Sequence, residues 1–291
     1  MSDISLAPTD PARIGNYMIA RRIGSGGQGT VYEAYDPEGR RVAVKVLHPN
    51  GVRRPPAKEV AASRRVASFS TARIVDVDLD GDPPYLVSEF VDGPSLRTVV
   101  EEAGPYTGDA LHRLAIGIAT AVAAIHEAGV VHRDLKPDNV LLGPDGPRVI
   151  DFGIARVLEA SSTTDSGLVG TPAYMAPELF TGDTTPRPAA DVYAWGAVVL
   201  FAGTGRMPFQ RDNVAATVHQ ILTAEPDLSA LPESLRPLVA RAMSKDPDQR
   251  PDARELLLAL VAGRSSDEAA ADAAALRPPE RLARRRPELG Q

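Results

Sequence analysis

The chain has 291 residues, 43% of them hydrophobic and 24% charged, enough to bury a large core in one big domain or in two lobes. It has no cysteine, which excludes a disulfide framework, a thiolate nucleophile and a cysteine-ligated zinc, and fits a reducing compartment. Its formal net charge of -6 favours solubility and argues against nucleic-acid binding by the surface as a whole.

Residues 1–16 are polar and broken by proline, lack the apolar run of a secretory signal, and read as an N-terminal extension. Across residues 17–89, β-rich segments recur at "YMIARRI", "TVYEAYD", "RVAVKVL", "RIVDVDL" and "PYLVSEF", punctuated by Gly, Pro and Asp. One segment there, residues 56–67, has a helical pattern, with Pro56 suited to its first turn. The spacing predicts a small antiparallel sheet carrying one helix. After Gly93, helical periodicity rich in Ala and Leu appears at 109–128, 189–204, 213–223, 234–244 and 252–261, which predicts a mostly helical second lobe. The most apolar run, residues 114–125, falls short of the roughly 20 residues of a membrane span and reads as a buried core helix. Residues 264–291 are rich in Ala, Arg and Pro and read as a mobile tail.

Four stretches carry chemistry. "IGSGGQGTV" sets Gly24, Gly26 and Gly29 between two strand-like runs. Glycines let a backbone approach phosphates and aim N–H groups at them, although a glycine-rich hairpin without a ligand fits these residues equally well. A dinucleotide fold needs a helix directly after the glycines. Here the β-branched and aromatic "TVYEAY" follows, so a hairpin closing over a nucleotide is expected. In "VAVKV", Val42, Val44 and Val46 face one way and Ala43 and Lys45 the other. A buried ammonium needs an anionic partner, and between Lys45 and Asp76 only Glu59 is acidic, so a Lys45 to Glu59 pair is expected if Lys45 is buried, a snorkelling lysine being the alternative. "VVHRDLKPDNVLL" encloses a charged run between apolar ones. A solvated turn uses the same residue types, but Asp134, Lys136 and Asn139 offer a base, a cation and a neutral amide to one anionic substrate. "PRVIDFGIAR" ends an apolar strand on Asp151; a lone carboxylate there is usually a turn residue, but with Asn139 nearby in the fold it would supply the hard oxygen ligands that Mg2+ takes alongside phosphates.

With "GTPAYMAPE" and "DVYAWG" downstream, the ordered set of glycine loop, VAVK, HRDLKPDN, DFG, GTPAYMAPE and DVY resembles the eukaryotic-like Ser/Thr protein kinases of bacteria over residues 17–263. The resemblance implies an α+β fold in two lobes: a small β-rich lobe with one main helix at 17–89, a hinge at 90–94 and a larger, mostly helical lobe at 95–263. It implies ATP as phosphoryl donor, Mg2+ with Mn2+ as an alternative, and protein hydroxyls as acceptors. By the same resemblance Asp134 accepts the proton of the substrate hydroxyl and Lys136 steadies the transferred group. Asn139 and Asp151 hold the metal, while Lys45, fixed by Glu59, grips the α- and β-phosphates under Gly24, Gly26 and Gly29. Ile23, Val31, Ala43, Leu141 and Ile150 sandwich the adenine, whose edge meets the backbone at Glu89 and Val91 beside Ser88. Thr171 docks a Ser/Thr substrate, Glu178 pairs with Arg250, and Asp191 braces the catalytic loop. A nucleotide-regulated pseudokinase scaffold is the alternative, and the presence of Lys45, Asp134, Asn139 and Asp151 argues against it. A small-molecule kinase is disfavoured by "GTPAYMAPE".

Against the family pattern, Gln28 stands at the tip of the glycine loop, and "HPNGVRRPP" and "ASFSTARIV" alter the path around the Glu59 helix. Ser88 is small for its position, which predicts an open pocket behind the adenine. The hydroxyl-rich "RVLEASSTTDSGLVG" has the character of an activation loop, and Arg133 offers a guanidinium to a phosphate on it. Autophosphorylation is therefore expected at Thr163 or Thr164, with Ser161, Ser162 and Ser166 as lesser candidates. Arg277, Arg281, Arg284, Arg285 and Arg286 form a basic stretch, but the interleaved Glu280 and Glu288 favour a solvated linker over a lipid contact. The expected partners are protein substrates and a homodimer for trans-autophosphorylation, not nucleic acid. A membrane enters only through a segment outside this chain, and the expected location is cytoplasmic.

Overall fold

The computed structural model describes residues 6–7, 9–26, 29–48, 57–66, 69–152, 172–182 and 187–262. Gln28, Thr171, the candidate hydroxyls at 161–166 and the tail at 264–291 lie outside these residues.

Alternating branched residues build the first lobe as a sheet. Its strands are β1 (Arg13–Ile14), β2 (Tyr17–Gly26), β3 (Gly29–Tyr35), β4 (Arg41–Leu47), β5 (Ile74–Asp78) and β6 (Tyr85–Glu89), in the antiparallel order β1-β2-β3-β4-β6-β5. The register pairs Lys45 with Val31 on one side and Leu86 on the other, near the middle of the sheet. One face buries Ile19, Tyr32, Ala34, Val42, Val44 and Val87 as a small core. The period of two in β4 then turns Ala43 and Lys45 to the opposite, cleft-facing side, as the alternation predicts.

Two features differ from the expected small lobe. Strand β1 and Asp10, from the extension, join the sheet. Asp10 accepts hydrogen bonds from Arg22 at 2.7 Å and from the Tyr32 hydroxyl at 2.9 Å. Among the described residues the helix of this lobe, α1 (Ala57–Ser63), also ends earlier than the predicted one. The Ser63 hydroxyl donates back to the Glu59 carbonyl at 3.0 Å, a local bond that competes with helix propagation at its end.

The second lobe contains α2 (Leu96–Ala103), α3 (Gly108–Glu127), α4 (Pro188–Thr204), α5 (Val214–Thr223), α6 (Arg236–Ala242) and α7 (Ala253–Ala262). Between α3 and α4 lies a hairpin of β7 (Val140–Gly143) and β8 (Gly146–Val149). Helix α3 is long and apolar enough by composition to cross a membrane, yet eight of its residues belong to the buried core, as the expected core helix requires. Helix α4 is buried on nearly every side, and Trp195 donates its indole N–H to the Ala115 carbonyl of α3 at 3.0 Å. The large core continues into the small lobe through Ala62, Val66, Ile74 and Leu86. Backbone bonds from Ala72 to Val149 (3.1 Å) and from Val149 to Ser70 (2.9 Å) fasten the lobes together. The chemical motifs therefore lie along the line where the lobes meet.

Candidate active site

Between the lobes is a cleft of about 1170 Å³. Ile23, Gly24, Gly26, Gly29, Val31, Ala43 and Lys45 line it from the sheet. Ser88, Glu89 and Val91 form its back edge, Leu141 and Ile150 its floor, and Lys136, Asn139 and Asp151 its charged end. Aliphatic walls thus lead to a polar terminus, a layout suited to a ligand with a flat apolar body and an anionic tail. The glycines differ in their reasons. Gly29 has φ of 149°, and a Cβ there would collide with the Val46 carbonyl, so the hairpin closes onto β4 only with glycine. Gly24 and Gly26 have open space where a Cβ would stand, so no neighbour requires them, and their backbone is left bare toward the cleft.

The loop from His132 to Asn139 is held from below by Asp191 in the first turn of α4. Its carboxylate accepts the backbone N–H groups of His132 (2.7 Å) and Arg133 (2.9 Å) and meets His126 Nε2 at 2.7 Å. Burial alone would raise the pKa of Asp191, but the His126 bond and the neighbouring donors hold it below the ordinary carboxylate range. Arg133 and Asp151 adopt left-handed backbone angles, with φ of 70° and 61°. Such angles cost a side-chain-bearing residue about 1 kcal/mol or more, and at Arg133 the Asp191 carboxylate bonds the backbone N–H of the strained residue itself. His132 is enclosed, and burial pushes its pKa down. Its Nε2 donates to the Ile150 carbonyl at 3.0 Å, while Nδ1 accepts the Asp134 N–H at 3.2 Å, an arrangement that fits the neutral ring. Asp134 is in turn fixed by Lys136 Nζ at 2.7 Å and by the Asn139 amide, at 2.7 Å to its carbonyl and 3.3 Å to its carboxylate.

Lys45 corrects the sequence reading. It is 7% exposed and so needs an anion, but Nζ donates to Asp151 at 2.9 Å. Glu59 is instead paired with the Arg133 guanidinium at 2.5 Å. The expected Lys45 to Glu59 pair is thus replaced by two crossed pairs. Asp151 is not near Lys45 in sequence: it is 106 residues away and is brought opposite β4 by the β7–β8 hairpin. Burial pushes Asp151 up, yet the charge and hydrogen bond of Lys45 outweigh it and hold the carboxyl below its ordinary range.

Behind Ser88 is a cavity of about 20 Å³, walled by Leu47, Ala72, Ile74, Leu86 and Phe152. It matches the space expected from the small side chain, although it has room for only about one water. Glu178 and Arg250 pair as expected, through two contacts of 2.7 Å. Two site features carried no sequence signal: His126 as the partner of Asp191, and Arg97, which donates to Asp138 at 2.8 Å beside the catalytic loop. Both depend on residues far apart in the chain.

The protein kinase domain family matches residues 17–259. The chain is 45% identical over 269 residues to a probable serine/threonine-protein kinase, PkwA, of Thermomonospora curvata, covering 90% of this chain and 36% of the relative. It is 43% identical over 257 residues to the serine/threonine-protein kinase AfsK of Streptomyces coelicolor, covering 86% and 32%. The chain therefore spans about a third of the length of these relatives. A solved structure of Rad53 (1-466) in complex with AMP-PNP is similar at a TM-score of 0.69 and 26% identity, covering 83% of this chain and 64% of that one.

Proposed function

The chain belongs to the protein kinase domain family, and from that premise we propose that it is an ATP-dependent Ser/Thr protein kinase acting on protein hydroxyls. The observation that carries this reading is the convergence of Lys45, Lys136, Asn139 and Asp151 at one end of a cleft of nucleotide size, with Asp134 bonded to two of them. The names of the relatives and the AMP-PNP held by the Rad53 structure support the same choice of reaction and donor.

Phosphoryl transfer leaves little covalent work to a protein, so positioning and charge neutralisation dominate. The adenine lies between Ile23, Val31 and Ala43 above and Leu141 and Ile150 below. Lys45 meets the phosphates, and Lys136 stands by the transferred group. Asp134, with one carboxylate oxygen already accepting from Lys136, keeps acceptor capacity for the proton of the incoming hydroxyl. Among the described residues no group of three or more His, Asp or Glu side chains forms a metal site of its own. The donor set Asp151 plus Asn139 fits Mg2+, which takes one or two carboxylates and completes its shell with phosphate oxygens and water. When bound, Mg2+ neutralises phosphate charge.

The test is incubation with labelled ATP and Mg2+, comparing wild type with Asp134→Asn. Incorporation that disappears in the variant is the expected result. ATP binding without any incorporation would replace the enzyme by a nucleotide-regulated scaffold.

A further inference from the structure

Beside Lys136, where Arg97 and Met207 stand, the cleft opens into a second groove between α2 and the segment after α4. Arg97, in the first turn of α2, dominates this junction. Its Nε donates to Asp138 at 2.8 Å, its Nη1 lies 3.5 Å from Glu101, and its guanidinium sits 5.5 Å over the Phe201 ring. The Arg97 side chain is 20% exposed, whereas Asp138 and Glu101 are 42% and 60% exposed. An internal cation therefore lies beneath two more exposed carboxylates, Asp138 at the cleft and Glu101 in the groove, and offsets their charge. On the outer rim, Arg206 and Arg211 are exposed, and among the described residues neither is ion-paired with a carboxylate. Arg211 bonds only neutral acceptors, the Gln210 carbonyl at 3.0 Å and Gln220 at 2.9 Å. Glu101 and Asp212 are the acidic residues lining that groove, and Arg206 is near enough to Asp227 to help hold its carboxyl below the ordinary range.

We propose that Arg97 is a specificity-determining residue. It offsets the charge of Asp138 and Glu101 and so weakens their attraction for lysine or arginine side chains of a protein substrate, and the groove then presents Arg206 and Arg211 to acidic ones. This deepens the kinase reading and rests on it. A hydroxyl delivered to Asp134 brings its neighbours in the peptide over this junction, because Asp138 adjoins Asn139, which bonds Asp134, and an extended chain advances about 3.3 Å per residue. Acidic residues within a few positions of the phosphoacceptor are thus selected, and basic ones are disfavoured by the guanidinium already in place.

The experiment uses peptides with a single Thr and with Glu, Ala or Lys placed at each flanking position in turn. The readout is the ratio of kcat/KM for Glu over Lys at each position. Partly exposed charge pairs contribute up to about fivefold each, so wild type is expected to favour Glu by roughly three- to tenfold at one or more positions. Arg97→Leu keeps an apolar contact with Phe201 and frees both carboxylates, so the ratio should move toward Lys at those same positions. The double variant Arg206→Glu, Arg211→Glu leaves Arg97 in place and should lower the ratio as well, which keeps the test valid if Arg97→Leu folds poorly. Labelling without charge preference in wild type, or a ratio unchanged in both variants, overturns the assignment while the kinase reading stands. Absence of any labelling, of peptides or of the protein itself, overturns both.

Discussion

His132 shows how a single side chain couples the site to pH. Its Nδ1 accepts the Asp134 N–H and its Nε2 donates to Ile150, so a second ring proton would confront a donor with a donor. Burial lowers its folded pKa below the ordinary 6.5. Between the folded and unfolded values the unfolded chain binds more protons, so unfolding free energy rises with pH there. The contribution is complete above 6.5 and is lost as pH falls below it. Urea unfolding at pH 7.5 and 5.5 should therefore show a larger loss in wild type than in His132→Asn, and equal losses would show that the ring does not titrate in this window. Ser88 makes a different point at the same scale, since its small side chain leaves the cavity behind it open. Ser88→Met should fill that space and weaken adenine-site ligands whose small apolar substituent, about the size of a methyl group, reaches into it, about tenfold or roughly 1.4 kcal/mol. Unchanged affinity would place the substituent elsewhere.

At the scale of elements, α1 is the piece whose position was hardest to foresee. Seven residues are too few to hold a helix by propensity, so its place depends on what it docks against. It has apolar contacts through Ala62 and the Glu59 pair with Arg133, whose side chains are 19% and 18% exposed. A half-enclosed pair of this kind is expected to contribute about 1–2 kcal/mol, between exposed and buried cases. Arg133→Gln should thus raise amide hydrogen exchange across 57–66 by roughly tenfold, with Glu59→Gln doing the same and the double variant adding little. Exchange unaffected by either change would assign the docking to apolar contacts alone. The same dependence on tertiary context explains what the sequence concealed. Strand β4 and helices α3 and α4 were readable because their periodicity is long and unbroken. Helix α2 was missed because it has only eight residues and its capping serine, Ser95, does not stand out among loop residues. Strand β1, two residues long, has no period at all. Lys45 announced that it needed an anion, but the choice between Glu59 and Asp151 is made by where a distant hairpin lands.

Across the whole molecule, the large core joins the helical lobe to α1, β5 and β6, so the cleft walls share one packed interior. The turn at Pro177–Phe180 is fixed to that interior by a polar joint. Arg250 is fully enclosed at its side chain and Glu178 is 10% exposed, and the two meet through a pair of 2.7 Å contacts. The guanidinium spends its other donors on the Ser244 carbonyl at 2.9 Å and the Ala189 carbonyl at 3.0 Å, and it lies over the Tyr193 ring. One side chain thus connects the turn at Pro177–Phe180, the start of α4 and the link between α6 and α7. Glu178→Gln would leave the guanidinium buried without its counter-charge, at a cost of about 3–5 kcal/mol. Arg250→Met would instead strand the carboxylate, which water reaches more easily, so a smaller loss is expected. The double variant removes both charges and should recover part of the single-variant loss, because the penalty lies in the unpaired ion more than in the missing bond. Urea unfolding of the three variants at pH 7.5 measures this. A loss below about 1 kcal/mol for Glu178→Gln, the range of exposed pairs, would mean that apolar packing around Tyr174 and Ala176 already fixes the turn.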